Sequence, residues 1–429
     1  MKRISIVTLA TALVLLSGCN KDNELNNSVD IELDNKGEMQ LIKLGGSTGA
    51  PSVKSRAAIE SLDEMGVNDR MGIFCLAGRK TDVKSALTAE APNWENALKD
   101  PEDPDYATST NGRYWSNICC EVKYDGVDGV YRISPEAGQK YYRYYPVTSL
   151  YGYDFYGYYP YQKNSEVTYS SDYTSVSVNM TINGTQDVIY GKSEDIDTCA
   201  WFKEYAGTTL GNTLSKSYYS ARFFRKHPLK RDDAFMKLEH KLARFRFFVY
   251  PGPDKEFAEP LSYDGAVKLA IKEIKLLQQP NNLNLVVAHK TDKNKNGVLK
   301  AVGSSRADFS LHYKGGALLN DNPTGIVTKD VDGVAVPDTV QVGDCIMFLP
   351  GGSEHYMSVL LCDKADKNVI YPSETNTAIS FKQNTGKTFE AGKTYNVYLQ
   401  VSGIKNISIS AELADWEESG EDMDLVEFN

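Results

Sequence analysis

Histidine is scarce, with five residues in 429, and tryptophan is scarcer, with four. So few imidazoles leave little material for metal centres or for proton transfer near neutral pH. Positive charge is short too: 47 Lys and Arg stand against 57 Asp and Glu, a formal charge of −10. A negative chain repels phosphate, which excludes nucleic acid as a partner. Seven cysteines are present but none forms a C-x-x-C pair, so zinc-ribbon and thioredoxin-type readings fail. Cys119 and Cys120 are adjacent and face opposite ways if they lie on a strand. Cys345 and Cys362 fall in neighbouring strand-like runs, in a pattern that would let them meet across a sheet. All six cysteines after Cys19 can equally be small buried thiols. Sustained helical periodicity is missing throughout.

What is abundant points to β-structure. Tyr reaches 27 and Gly 33, with 16 Pro; aromatics favour strands, while Gly and Pro punctuate turns. Arg70 to Leu76 has the pattern of a buried strand, and Tyr173 to Ile182 alternates. In Leu242 to Tyr250, residues 243, 245, 247 and 249 are apolar, with Arg244 and Arg246 facing the other way, at the surface or paired. Ile407, Ile409, Ala411 and Leu413 alternate with Ser408, Ser410 and Glu412, one face for a core and one for water. Strands are also expected at 29–33, 39–44, 267–277, 284–289, 345–349, 356–362 and 395–401. Residues 222–233 form a basic polar break. The pattern predicts an all-β chain of antiparallel β-sandwiches, one before this break and one after it.

The N-terminus reads as an address. Lys2 and Arg3 precede an apolar stretch, Ile4 to Leu16, too short to span a bilayer, which needs about 20 residues. The stretch ends Leu16-Ser17-Gly18-Cys19, which resembles the lipobox of bacterial lipoproteins. That resemblance implies removal of residues 1–18 and acylation of Cys19. Residues 19–28 then read as a polar tether.

Enzyme motifs fail one by one. Gly45-Gly46-Ser47-Thr48-Gly49 matches G-x-S-x-G, yet Ala50-Pro51 follows where a nucleophile elbow needs a helix. Gly386 to Thr394 has five residues between its glycines where a phosphate loop has four, and it leads into a strand. Asp292 to Gly297 has the opening of a calcium loop, but Gly303 stands where the bidentate carboxylate belongs; Asn296-Gly297 reads as a hairpin turn. No catalytic residue, metal site or cofactor is expected. The remaining chemistry lies among ten Tyr between residues 141 and 161. Tyr151, Tyr153, Tyr156, Tyr158 and Tyr159 would stack on sugar rings if exposed. They would pack sheets if buried.

Taken in order, several short stretches resemble the fimbrillins of Bacteroidales, the subunits of type V pili. They are the lipobox, Ser55-Arg56-Ala57-Ala58, Gly66 to Leu76, Pro160-Tyr161, Asp187-Val188-Ile189-Tyr190, Phe235 to Val249 (FMKLEHKLARFRFFV), Ala391 to Tyr395, and Ile407 to Trp416. The resemblance implies two transthyretin-like antiparallel β-sandwich domains in tandem, here 29–228 and 229–429. It implies a surface-exposed lipoprotein of the outer membrane, a structural or accessory subunit of fimbriae with a role in adhesion. It also implies proteolysis behind an Arg, here Arg56, that frees an N-terminal strand. Other fimbrial subunits are then the partners through donor-strand exchange, and host or bacterial surfaces the adhesion targets. Val29 to Leu33 or Met39 to Leu44 would be the freed edge strand, and the run Met423 to Phe428 a donor strand. The alternative function is a glycan-binding surface lipoprotein using the Tyr-rich segment.

Overall fold

Alternation becomes strand in nearly every stretch where the sequence shows it. The computed structural model describes residues 41–47, 70–80, 116–124, 131–137, 145, 151–171, 174–194, 207, 219, 234–252, 262–263, 267–289, 291–332, 334–372, 378–382, 387–401 and 407–414. Among the described residues the first strands are β1 (Leu44–Ser47), β2 (Arg70–Lys80), β3 (Ile118–Tyr124), β4 (Tyr131–Pro135), β5 (Tyr151–Tyr159), β6 (Val167–Tyr169), β7 (Ser175–Thr181), β8 (Ile189–Ser193) and β9 (Ala234–His240). Next come β10 (Ala243–Pro251), β11 (Ser262–Tyr263), β12 (Val267–Pro280), β13 (Asn282–His289), β14 (Val298–Ala301), β15 (Arg306–Ser310), β16 (Thr324–Gly325), β17 (Thr328–Val331) and β18 (Val334–Pro337). The last are β19 (Val340–Phe348), β20 (Glu354–Asp363), β21 (Val369–Tyr371), β22 (Ile379–Lys382), β23 (Thr394–Val401) and β24 (Ile407–Ala414). The described residues contain no α-helix, only single 3-10 turns at Asn164–Glu166, Lys293–Lys295 and Leu319–Asp321. The second of these turns and Gly297 join β13 to β14, which pair antiparallel. The Asp292 to Gly297 segment is thus a hairpin connection, as its Asn-Gly implies.

The sheets depart from two tandem sandwiches. Seven strands close into a barrel in the order β1-β4-β3-β2-β5-β8-β9. Four-stranded sheets run β19-β10-β23-β24 and β14-β13-β7-β6. A seven-stranded sheet is built on β12 and β20, and β17 with β18 forms a separate hairpin. Pairing crosses the expected boundary at residue 228: β9 completes the barrel, and β13 pairs with β7 from Asn282↔Thr181 to His289↔Ser175. The reason is that alternation marks a strand's faces and says nothing of its neighbours. Here β2 and β5 are apolar on both faces. Met71, Ile73 and Cys75 fill the barrel with Phe155 and Tyr159, while Phe74, Leu76, Tyr156 and Tyr158 join the larger core. A barrel wall packed on both sides hides more apolar surface than a sandwich with one wet face, at about 25 cal/mol per Å².

That larger core also takes Val176, Val178 and Met180 of β7, Leu283, Leu285 and Val287 of β13, and Phe245, Phe247 and Val249 of β10. At its centre the Phe245 ring stacks on Phe348 at 4.1 Å and meets Phe381 and Phe389 edge-on, each at 5.1 Å. Phe245 and Phe247 are buried as expected. The side chains of β24, with Ile407, Ile409 and Leu413, lie outside the described residues. Arg244 and Arg246 are not on a wet face: Arg244 is fully buried and Arg246 nearly so. β10 runs between β19 and β23, in register with Thr394 opposite Arg244 and Asn396 opposite Arg246. The Arg244 Nε donates to the Thr394 hydroxyl at 2.6 Å, and the Arg246 Nε to Asn396 Oδ1 at 3.3 Å. A buried guanidinium is tolerable only when its donors are met in this way.

Candidate functional site

The smallest element of the barrel is also the one that closes it. β1 is four residues long, pairs antiparallel with β4 (Leu44↔Ile133 to Gly46↔Tyr131) and parallel with β9 (Leu44↔Ala234 to Ser47↔Lys237). The Ala234 N–H donates to the Lys43 carbonyl at 2.9 Å, extending the β9 ladder by one residue. Side chains on one face alternate inward: Ile42 and Leu44 are buried in the barrel core with Ile133, Met236 and Leu238. Lys43 and Leu41 stay exposed. Gly46 takes the third inward place. A Cβ there would stand 3.2 Å from the Met236 carbonyl oxygen, 3.3 Å from Leu238 Cδ1 and 3.4 Å from Ile133 Cδ1. Glycine in a strand marks such a close approach. Within the G-x-S-x-G match, Gly45, Gly46 and Ser47 lie on the strand itself, and Gly46 serves packing.

The strand begins at Leu44, where the expected one, Met39 to Leu44, ends, and it is no edge. It sits between two partners, because a barrel has no edge until a strand is withdrawn. Val29 to Leu33, Cys19, Arg56 and the run Met423 to Phe428 lie outside the described residues.

The far end of β9 is fastened differently. His240, its last residue, meets the carboxylate of Asp187 through Nδ1, and Asp187 is completely buried. The other Asp187 oxygen accepts the Val188 N–H at 2.7 Å. Lys241 Nζ lies 5.3 Å from the centre of the Tyr190 ring, a cation–π contact. Two stretches that the sequence shows only as separate motifs, Asp187 to Tyr190 and Phe235 to Val249, are here one structural joint. Nothing in the sequence signals that contact.

The described part of the Tyr-rich segment is packed inside the fold. Tyr153, Tyr156, Tyr158 and Tyr159 of β5 are all buried, so none offers a face to a sugar. Tyr151 begins β5, and its side chain lies outside the described residues. The physical cause is the pairing of β5 with both β2 and β8 in a wall that is apolar on both faces. The Tyr158 hydroxyl donates to Asn117 Oδ1 at 2.6 Å, and Asn117 Nδ2 donates to the Gln162 carbonyl at 2.9 Å. Burial pushes the Tyr158 phenol well above its ordinary range.

The described thiols are packing groups as well. Cys75, Cys119, Cys120, Cys345 and Cys362 are free, and Cys345 and Cys362 lie on β19 and β20 in different sheets, so they do not meet. Burial raises the Cys75 and Cys120 thiols well above their ordinary value. It pushes Cys119 to about 11, helped by Glu136, and Cys345 to about 12, helped by Asp344. Thiolate is the reactive form, so these cysteines are packing groups. Among the described residues no cluster of His, Cys, Asp and Glu could hold a metal.

No family model matches the chain, and no curated protein matches it. Solved structures do. A candidate cell adhesion protein from Bacteroides uniformis aligns over 88% of this chain and 99% of its own, at 14% identity and a TM-score of 0.42. A fimbrial assembly protein from Parabacteroides distasonis aligns over 88% and 96%, at 11% identity and a TM-score of 0.35. The fimbrial anchor protein of Porphyromonas gingivalis aligns over 85% and 91%, at 9% identity and a TM-score of 0.24.

Proposed function

We propose that this chain is a surface-exposed structural or accessory subunit of a fimbrium, with a role in adhesion. In this reading it is held to the outer membrane by lipid on Cys19 and assembled by strand exchange after a cut behind Arg56. The observation that carries the reading is the seat of β1. It is a short N-terminal strand, hydrogen-bonded on both sides, that closes the barrel and enters the stretch containing Arg56. Withdrawing it bares the backbone rows of β4 and β9 and opens the barrel core where Ile42 and Leu44 lay. Two facing rows of unpaired N–H and C=O groups over an apolar cleft form a strong template for another strand. The burial of Tyr153, Tyr156, Tyr158 and Tyr159 speaks against the glycan-binding reading. An N-terminal sequence of the protein from surface fimbriae tests the proposal. A start at Ala57 in multimers supports it, and a start at Cys19 in every assembled copy sinks it.

A further inference from the structure

β9 runs into β10 with only Lys241 and Leu242 between them, so the strand that β1 lies against is tied directly to the larger core. Resting on the reading that β1 leaves its seat, we infer that the Asp187–His240 pair is a stop that confines the opening to the barrel, keeping β9 on β8 and β10 in the larger core. β1 is in register with the first half of β9, Ala234 to Lys237, while β8 is in register with Met236 to His240. Once β1 is gone, β9 becomes an edge strand whose remaining ladder is the one to β8. Fraying then starts at its Ala234 end and runs toward His240.

Fraying travels along a strand until the next contact costs more to break than the freed chain gains in entropy. A ladder bond is a weak stop, because its released N–H and C=O find water. His240 is a strong one. Asp187 is completely buried, with one oxygen on the Val188 N–H at 2.7 Å and the other on His240 Nδ1. Releasing His240 strands that carboxylate in the interior, at a far larger penalty than a solvated ladder bond. Three backbone bonds follow at once. The Lys241 N–H donates to the Val188 carbonyl at 2.7 Å, the Gly392 N–H to the Leu242 carbonyl at 2.8 Å, and the Arg244 N–H to the Lys393 carbonyl at 3.1 Å. The first holds the chain to the residue before β8, the other two to the residues before β23. The stop therefore stands three residues past Lys237, the last that β1 pairs with, and three before Ala243, where β10 begins.

The test unseats β1 in the intact full chain, so it does not depend on a cut at Arg56, and its failure leaves the fimbrial reading to be judged by the N-terminal sequence alone. Leu44→Asp puts an unpaired carboxylate into the apolar barrel core and drives β1 out. Hydrogen exchange is followed by mass spectrometry in wild type, Leu44→Asp, His240→Leu and the double variant. Leu44→Asp alone should speed exchange in β4 and the first half of β9 by at least about tenfold and leave β10 within about threefold of wild type. His240→Leu alone should loosen residues 187–190 and 238–241 and also spare β10. Together they should speed exchange in β10 by at least about tenfold. His240→Asn, whose amide can donate to Asp187 in place of Nδ1, should restore β10 protection beside Leu44→Asp. Loss of β10 protection in either single variant overturns the stop, as does a double variant in which β10 stays protected or a failure of Asn to restore it. If the double variant does not fold, the same contrast is read with Leu44→Ala in mild denaturant.

Discussion

β10 and β1 are both held on two sides, each with one parallel and one antiparallel neighbour, yet they differ in what their removal would cost. β10 is in register with β23 over eight residue pairs, and buries Phe245, Phe247 and Val249 in the larger core. β1 is in register with β9 over four pairs, and buries little besides Leu44. A strand that ties the main core together cannot leave without unfolding it. A strand that only closes a small barrel leaves at a lower cost, as the proposed strand exchange requires. Length and inward side-chain volume set that difference.

That comparison can be broken at several points. Phe245→Ala removes the ring around which Phe348, Phe381 and Phe389 are arranged. It should lower global stability by about 3–5 kcal/mol in denaturant unfolding. A loss near zero would mean that β10 does not hold the core. Acid should act on the same region. His355 lies 5.5 Å from Phe245 in the aromatic nest, its Nε2 has no hydrogen-bond partner, and burial lowers its pKa to about 4. Since the unfolded chain takes up the proton near pH 6.5 and the folded chain only near pH 4, stability falls as pH drops through that window. The fall should reach up to about 3 kcal/mol. His355→Leu should flatten this part of the pH profile, and an unchanged slope would assign the acid sensitivity elsewhere.

Leu44→Ala sharpens the other side. It should cost about 2 kcal/mol, the low end for a buried Leu, because β1 is the barrel's shortest strand and its surroundings can close in. The loss should appear as faster hydrogen exchange in β4 and β9 while β10 and β23 stay protected. Equal loosening of both regions would show one cooperative unit and would count against a replaceable β1. Tyr156→Phe should have the smallest effect: no change in polysaccharide retention on affinity electrophoresis, since the side chain is buried. Weakened retention would restore the glycan-binding reading.

Strand positions were legible because period-two alternation is a local property of the chain. β7, β10, β12, β13, β19, β20, β23 and β24 all fall on stretches that alternate or run apolar. The candidate site was half legible. The segment Met39 to Leu44 has a strand's pattern in the sequence, whereas Gly46 stands out there only within a failed catalytic motif. A glycine two residues after a large apolar residue at a strand's inward face was the available signal.

By itself the sequence determined an all-β chain, because composition, spacing and alternation depend on neighbours along the chain. Only the tertiary structure decided that β1 lies between β4 and β9, that β7 pairs with β13, that Arg244 is buried against Thr394, and that Asp187 meets His240. Those contacts join residues that are tens to more than a hundred positions apart. The free energy that selects them comes from closing a barrel and burying both faces of its wall at once, a sum over the whole core that no single segment carries.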